Sequence, residues 1–217
     1  MGWQDLWQDP KVRARWEKAP PLPEVVGMAD RLEAEGLRRV LDVGCGLGRH
    51  TVYLAARGFE VTATDNAPAA IAACKANLEE AGLAANVIET EMTHYPFPDG
   101  SFHGAIGSHV IHHTDRATLE RILAEIMRTL APGGYFVWVT PTPRHFACGR
   151  GTEIEPGTWV DPNHHEGPIP HHYAIEEEVR GLLHAYDVLS IHEHEYRDDD
   201  GNSRFHWRIL ARKRGEQ

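Results

Sequence analysis

Apolar positions along this chain alternate between two periods. Short apolar runs at Arg39–Val43, Glu60–Thr64, Asn86–Thr90, Phe102–Ser108 and Tyr135–Thr140 read as strands. Between them the spacing becomes helical. Val25, Met28, Ala29 and Leu32 form one stripe over 24–35, with Gly36 as C-cap. Leu47–Arg57 is predicted as a second helix. Ala69–Ala81, with Ile71, Cys74 and Leu78 in register, and Leu119–Leu130 follow. Strands alternating with helices of this length predict a doubly wound α/β fold, its parallel sheet covered on both faces.

After Pro141 the periodicity lapses. Residues 142–172 hold five prolines, four glycines and five histidines and read as one long loop. Helix resumes over Ile175–Tyr186. Val188–Tyr196 and Arg204–Lys213 then read as strands joined by Asp198-Asp199-Asp200-Gly201-Asn202, a strong hairpin signal. The whole is expected to be one domain. Residues 1–36 form an N-terminal helical cover, 37–140 a ligand-binding core, 141–173 a loop and 174–217 a C-terminal helix and hairpin. Trp3 and Trp7 are four apart and share a face if helical. That face is expected to pack on the body or to serve as a lid.

A chain of 217 residues with 41 % apolar and 25 % charged positions has a globular composition. Its net charge of −10 argues against a general nucleic-acid binder, which needs a positive field for phosphates. No apolar run approaches the ~20 residues of a membrane helix. No basic and apolar leader opens the chain, and the three cysteines form no disulfide framework. A cytoplasmic location is the expectation. Histidine is the compositional oddity: there are fifteen, and nine lie between His103 and His172. His50, His184, His192, His194 and His206 read as surface or packing residues.

The most informative stretch is Leu41-Asp42-Val43-Gly44-Cys45-Gly46-Leu47-Gly48-Arg49-His50. A strand enters a glycine turn and a helix follows at once. Such a turn lets a ligand approach backbone N–H groups at a helix N-terminus. Asp65 ends the next strand, where a carboxylate can accept both ribose hydroxyls of an adenosine. The dinucleotide fingerprint needs glycine at its sixth position, and Arg49 stands there.

This segment resembles the first motif of the class I S-adenosylmethionine-dependent methyltransferases. Val61-Thr62-Ala63-Thr64-Asp65-Asn66 is similar to their second motif. Residues 91–102, from Glu91 to Phe102, resemble their adenine-binding segment, and Leu130-Ala131-Pro132-Gly133-Gly134 the turn before their fifth strand. The resemblance implies a Rossmann-like, mostly parallel seven-stranded sheet with an antiparallel C-terminal hairpin strand. It implies S-adenosylmethionine as cofactor, approached at Gly44, Cys45, Gly46 and Gly48. Asp42 would orient the loop, Asp65 would hold the ribose diol and Asn66 would lie beside the adenine. Glu91 and Met92 would meet the adenine, and Ser108 the methionine part. Two positions depart from the family pattern, Glu91 and His103, where aspartate is usual.

The finer pattern is most similar to the tellurite-resistance and thiopurine methyltransferase branch. It rests on Gly48-Arg49-His50, Tyr53-Leu54-Ala55, Ile209–Lys213 and residues 151–158 followed by Pro170-His171-His172-Tyr173. The implied activity is methyl transfer to a small molecule, a soft thiol or chalcogen or an anionic compound. His109, His112 and His113 are the candidate catalytic residues. Arg144, His145, His171, His172 and Tyr173 are the candidate substrate contacts. The alternatives are an O- or N-methyltransferase with a histidine base, or a histidine-rich metal- or metalloid-binding protein using His164, His165, His171, His172, Cys148 and Glu166. The leading reading expects no metal, no nucleic acid and no membrane partner.

Overall fold

The computed structural model describes residues 7–8, 19–164, 166–198 and 200–215. Trp3 and Trp16 lie outside the described residues. Pro23 opens the first helix, α1 (Pro23–Ala34), where its fixed φ fits and its missing N–H costs nothing. The chain then alternates through β1 (Arg39–Val43), α2 (Arg49–Ala56), β2 (Glu60–Asp65), α3 (Pro68–Glu80), β3 (Asn86–Glu89), β4 (Phe102–Ser108), α4 (Arg116–Thr129) and β5 (Leu130–Pro141). The remainder is β6 (Thr152–Glu155), β7 (Thr158–Val160), β8 (Pro170–His172), α5 (Glu176–Leu182), β9 (Tyr186–Arg197) and β10 (Ser203–Lys213).

Seven strands form one sheet in the order β3-β2-β1-β4-β5-β10-β9. β10 runs antiparallel to both of its neighbours; the pairs among β1 to β5 are all parallel. This is the Rossmann-like arrangement with an antiparallel C-terminal hairpin strand. The two-residue period of β5 divides the core. Phe136 and Trp138 pack with Leu119, Ile122 and Ile126 of α4 and Val179 of α5. Tyr135, Val137 and Val139 pack on the other face with Val25, Met28 and Leu32 of α1. Both faces are dry, which is why these strands read as apolar runs and not as alternating ones.

The structure corrects three expectations. Residues 142–172 are not a featureless loop. They contain a second, three-stranded antiparallel sheet, β6-β7-β8. Its strands are three or four residues long, too short to print a period. Glu155 anchors it by accepting from the Arg116 N–H at 2.6 Å, at the start of α4. The helix expected from Leu47 starts at Arg49, because the glycine turn runs through Gly48. The helix expected to reach Tyr186 ends at Leu182, and Tyr186 already belongs to β9.

Several histidines are buried as neutral rings. His50 is 5 % exposed, and its Nε2 accepts from the Leu22 N–H at 3.4 Å. His206 is 4 % exposed on β10. Burial holds His50 and His206 well below the ordinary histidine value, and it pushes His109 down to about 3. In the unfolded chain all three take up a proton below ~6.5. Stability is therefore full above that pH and is lost as pH falls below it. At pH 5.5 His109 alone costs roughly 1.4 kcal/mol, and the other buried rings add to it in the same sense. Burial raises Asp42 to about 6, and that group acts in the opposite sense, offsetting roughly 1 kcal/mol at that pH. The urea midpoint should be flat from pH 8.5 to 7.5 and fall steeply towards pH 5.5. His50→Gln should lessen the fall, whereas a midpoint unchanged between pH 7.5 and 5.5 would exclude buried neutral histidines.

Candidate active site

A cleft of about 680 Å³ opens at the carboxyl ends of β1, β2, β4 and β5. Ligands of open α/β sheets bind at this edge, where the sheet's connections part. β1 feeds a turn in which Gly44, Gly46 and Gly48 have φ of +61°, +54° and +82°. Side chains rarely tolerate that region. At Gly48, the N-cap of α2, an added Cβ would lie 2.5 Å from Cys74 Sγ. At Gly46 it would lie 2.9 Å from the Trp7 ring, so the indole sits directly over the loop.

Asp65 locks this turn. Its Oδ2 accepts from the Gly46 N–H at 3.0 Å and its Oδ1 from the Ala67 N–H at 2.9 Å. Each carboxylate oxygen retains capacity for a second donor. Asp42 is 2 % exposed and its Oδ2 accepts from the Thr51 hydroxyl at 2.7 Å. The Asn66 amide donates to Glu91 Oε1 at 3.3 Å. The Ser108 hydroxyl is buried with no hydrogen-bond partner among the described residues.

Asp42, Gly44, Cys45, Gly46 and Asp65 thus line one wall of the cleft, and Asn66, Glu91, Met92 and Ser108 line the adjoining one. Gly48 stands behind the wall against Cys74. The hydrogen bond with Cys74 and then burial hold the Cys45 thiol well above its ordinary value, so it stays protonated. A glycine turn, one buried and one half-buried carboxylate and an orphaned hydroxyl fit a ligand with a ribose diol and a cationic amino-acid arm. That is the chemistry of S-adenosylmethionine.

The other end of the cleft is built from histidines. His109 follows β4 with a positive φ of 56°, a strained backbone typical of functional sites. Its ring lies 4.5 Å from that of His206, which is 5.2 Å from His145. Burial first, then nearby arginines, holds His109 and His145 near 3. The His145 Nδ1 accepts from the Ala147 N–H at 3.2 Å, which places its proton on Nε2. Tyr173 lies 5.8 Å from His145, ring to ring, and burial pushes its phenol up. A second group holds His112, His113, His164 and His171. The His112 and His113 rings are 3.9 Å apart, and His164 and His171 4.2 Å. Glu166 stands among them, with Oε2 3.3 Å from His113 Nε2 and 2.7 Å from His171 Nε2.

Two expected substrate contacts lie elsewhere. Arg144 points outward, paired with Glu193 and stacked at 4.1 Å over Phe205. His172 is consumed by structure. Its Nδ1 bonds the Thr158 hydroxyl at 2.7 Å and its Nε2 meets Glu178 at 2.9 Å, tying β8 to α5. Conversely, His50 and His206, read as surface or packing residues, line the cleft. So do Asp198, Asn202 and Arg204, because the hairpin turn folds over the rim. Asp198 holds that turn by accepting from the Asn202 N–H at 2.9 Å and from Arg204 Nε at 3.0 Å. His206 lies beside the buried Phe205 on β10, and no local pattern says which end of the strand reaches the cleft.

Comparison with known proteins agrees with this geometry. Residues 40–134 match a family described as methyltransferase domain. The 2-heptyl-1-hydroxyquinolin-4(1H)-one methyltransferase of Mycobacteroides abscessus is 30 % identical over 127 residues, which are 58 % of this chain and 55 % of that protein. A SAM-dependent methyltransferase from Methanosarcina mazei superposes with a TM-score of 0.76 at 24 % identity, over 91 % of this chain and all of its own. TehB from Haemophilus influenzae superposes at 0.68 with 20 % identity, over 93 % of this chain and 65 % of its own. Residues 40–134 are thus similar to a methyltransferase domain, and the chain shares its fold with S-adenosylmethionine-dependent methyltransferases of known structure. It spans about half the length of the curated relatives it matches.

Asp65 is the residue on which this wall turns. Asp65→Ala removes an ionised acceptor, worth roughly 1.5–3 kcal/mol per hydrogen bond, so affinity for S-adenosylhomocysteine should fall roughly 10- to 150-fold by calorimetry. Unchanged affinity would mean that the carboxylate serves the loop alone.

Proposed function

We propose that this protein transfers a methyl group from S-adenosylmethionine to a small-molecule acceptor held at the histidine end of the cleft. The acceptor is a soft nucleophile that ionises readily, a thiol, selenol or related chalcogen compound. S-adenosylmethionine supplies a methyl group already activated on a sulfonium. The protein's part is to hold the acceptor in line with that methyl at near-attack distance, and such positioning supplies roughly 7–11 kcal/mol at best.

The observation that favours a soft acceptor is the state of the histidines. A general base works best with a pKa near the operating pH. His109 and His145 sit near 3 because burial disfavours their charged form, so they are weak bases. An amine or hydroxyl acceptor needs such a base, whereas a thiol near 8.5 loses its proton with little help. Arg150, stacked at 4.8 Å on Phe146, adds positive charge at the rim that draws an anionic acceptor. The polarizable ring edges of His109, His206 and Phe146 suit a large, soft atom.

The test is a methyl-transfer screen with S-adenosylmethionine across thiols, selenols, tellurite, catechols and amines. Transfer to thiols or chalcogen species is expected, with the rate rising with pH as the acceptor ionises. Activity confined to amines or catechols would overturn the soft-acceptor assignment. Stabilisation by NADH equal to that by S-adenosylhomocysteine would overturn the methyltransferase reading itself.

A further inference from the structure

We propose that His113, Glu166 and His171 form a binding site for one divalent transition-metal ion of the zinc type, with an open coordination position facing the acceptor end of the cleft. One ligand atom from each of the three residues lies within 4.8 Å of the other two. Ligand atoms around a tetrahedral zinc with bonds of about 2.0–2.2 Å stand roughly 3.3–3.5 Å apart. The 3.3 Å between His113 Nε2 and Glu166 Oε2 already matches that span. The remaining adjustments are below about 1.5 Å and lie within side-chain rotation.

The argument turns on a proton. His171 Nδ1 lies 3.0 Å from the carbonyl oxygen of Ile169, which only accepts, so Nδ1 donates there. In a neutral imidazole the other nitrogen is then bare. That bare Nε2 faces Glu166 Oε2 at 2.7 Å, acceptor against acceptor. His164 does not relieve the conflict, because its Nδ1 accepts from the Glu166 N–H at 3.3 Å. Something positive belongs between His171 and Glu166, either a proton or a metal ion. A backbone carbonyl that fixes the tautomer of a ligating histidine is the usual support for a metal.

The surroundings favour the metal. His112, His113, His164 and His171 crowd together here, with ring centroids 3.9 Å apart for His112 and His113 and 4.2 Å for His164 and His171, so several imidazole nitrogens converge on one carboxylate. Glu166 Oε2 lies 3.3 Å from His113 Nε2 and 2.7 Å from His171 Nε2, so one carboxylate oxygen meets both rings. Two neutral imidazoles and one carboxylate are the ligand set of open, catalytic zinc sites. His113 comes from a loop far in sequence from the segment that carries Glu166 and His171. His113 follows β4, Glu166 precedes β8 and His171 lies on β8, so the site exists only in the folded chain.

The proposed function gives the ion its use: a thiol that coordinates it is held as thiolate beside the methyl donor. The site itself does not depend on that reading. Chelator-treated protein should bind one zinc per chain by elemental analysis and calorimetry. Cobalt in its place should give a visible absorption band of low coordination number. His171→Ala and the near-isosteric Glu166→Gln should weaken zinc on the order of 100-fold, since loss of even a ligand's support costs about 10–100-fold. His184→Ala, an exposed histidine outside the cleft, should leave it unchanged. Circular dichroism and thermal stabilisation by S-adenosylhomocysteine in the same samples report folding and the cofactor wall independently. Sub-stoichiometric zinc, or zinc affinity unaltered in Glu166→Gln, would overturn the site. Zinc bound as described with no stabilisation by S-adenosylhomocysteine would retain the metal site and overturn the methyltransferase reading.

Discussion

The cleft depends first on one carboxylate. Asp65 accepts from the backbone of Gly46 with one oxygen and from Ala67 with the other. It thereby couples two strand-to-helix connections that the sheet only brings near each other. The turn it holds passes through left-handed backbone three times, a conformation costly for most residues and open to glycine. Without that restraint the loop loses the fixed face on which a ligand can rest. The cost of keeping Asp65 in this place is visible too: burial raises its carboxyl, and the amides of Ala67 and Gly46 pull it back.

The second constraint is the exclusion of water from the histidine end. Imidazole is useful as a base only where its charged form is tolerated. Here burial and neighbouring arginines suppress that form at His109 and His145. The same dryness turns histidine into a neutral, polarizable lining and a source of nitrogen lone pairs. An abundance of histidine therefore does not translate into an abundance of proton acceptors. It points away from base catalysis and towards soft or coordinating contacts.

The sheet and the glycine turn were legible in the sequence because each rests on local chemistry. The apolar runs of β1 and β5, Pro23 at the start of α1, and the glycines between β1 and α2 announce their own conformations. Asp65 is recognisable by its place at the end of the next strand. The acceptor end is different. Arg144 and His172 stand at suggestive positions, yet one turns outward to Glu193 and the other is spent between Thr158 and Glu178. His206 joins the cleft from the antiparallel strand, a placement fixed by the pairing of β10 with β5 and not by any local pattern. The three short strands β6 to β8 carry too few residues for a period to emerge. Contacts between segments far apart in sequence leave little local trace.

That division has a chemical consequence. The cofactor wall comes from β1, β2, the segment after β3 and the end of β4, one contiguous half of the chain. The histidine wall comes mainly from the insertion between β5 and α5 and from the β9–β10 hairpin. Glu166 belongs to that insertion, and its partner His113 to the loop after β4, so the carboxylate bridges the two halves. A change of acceptor chemistry could then be made by altering residues 142–172 and the hairpin while Asp65 and the glycine turn stay fixed. The small sheet serves this arrangement directly. By pinning β8 through Thr158 and Glu178, it sets His171 against Glu166 with the precision that binding a small atom requires, which a free loop of the same composition would not supply.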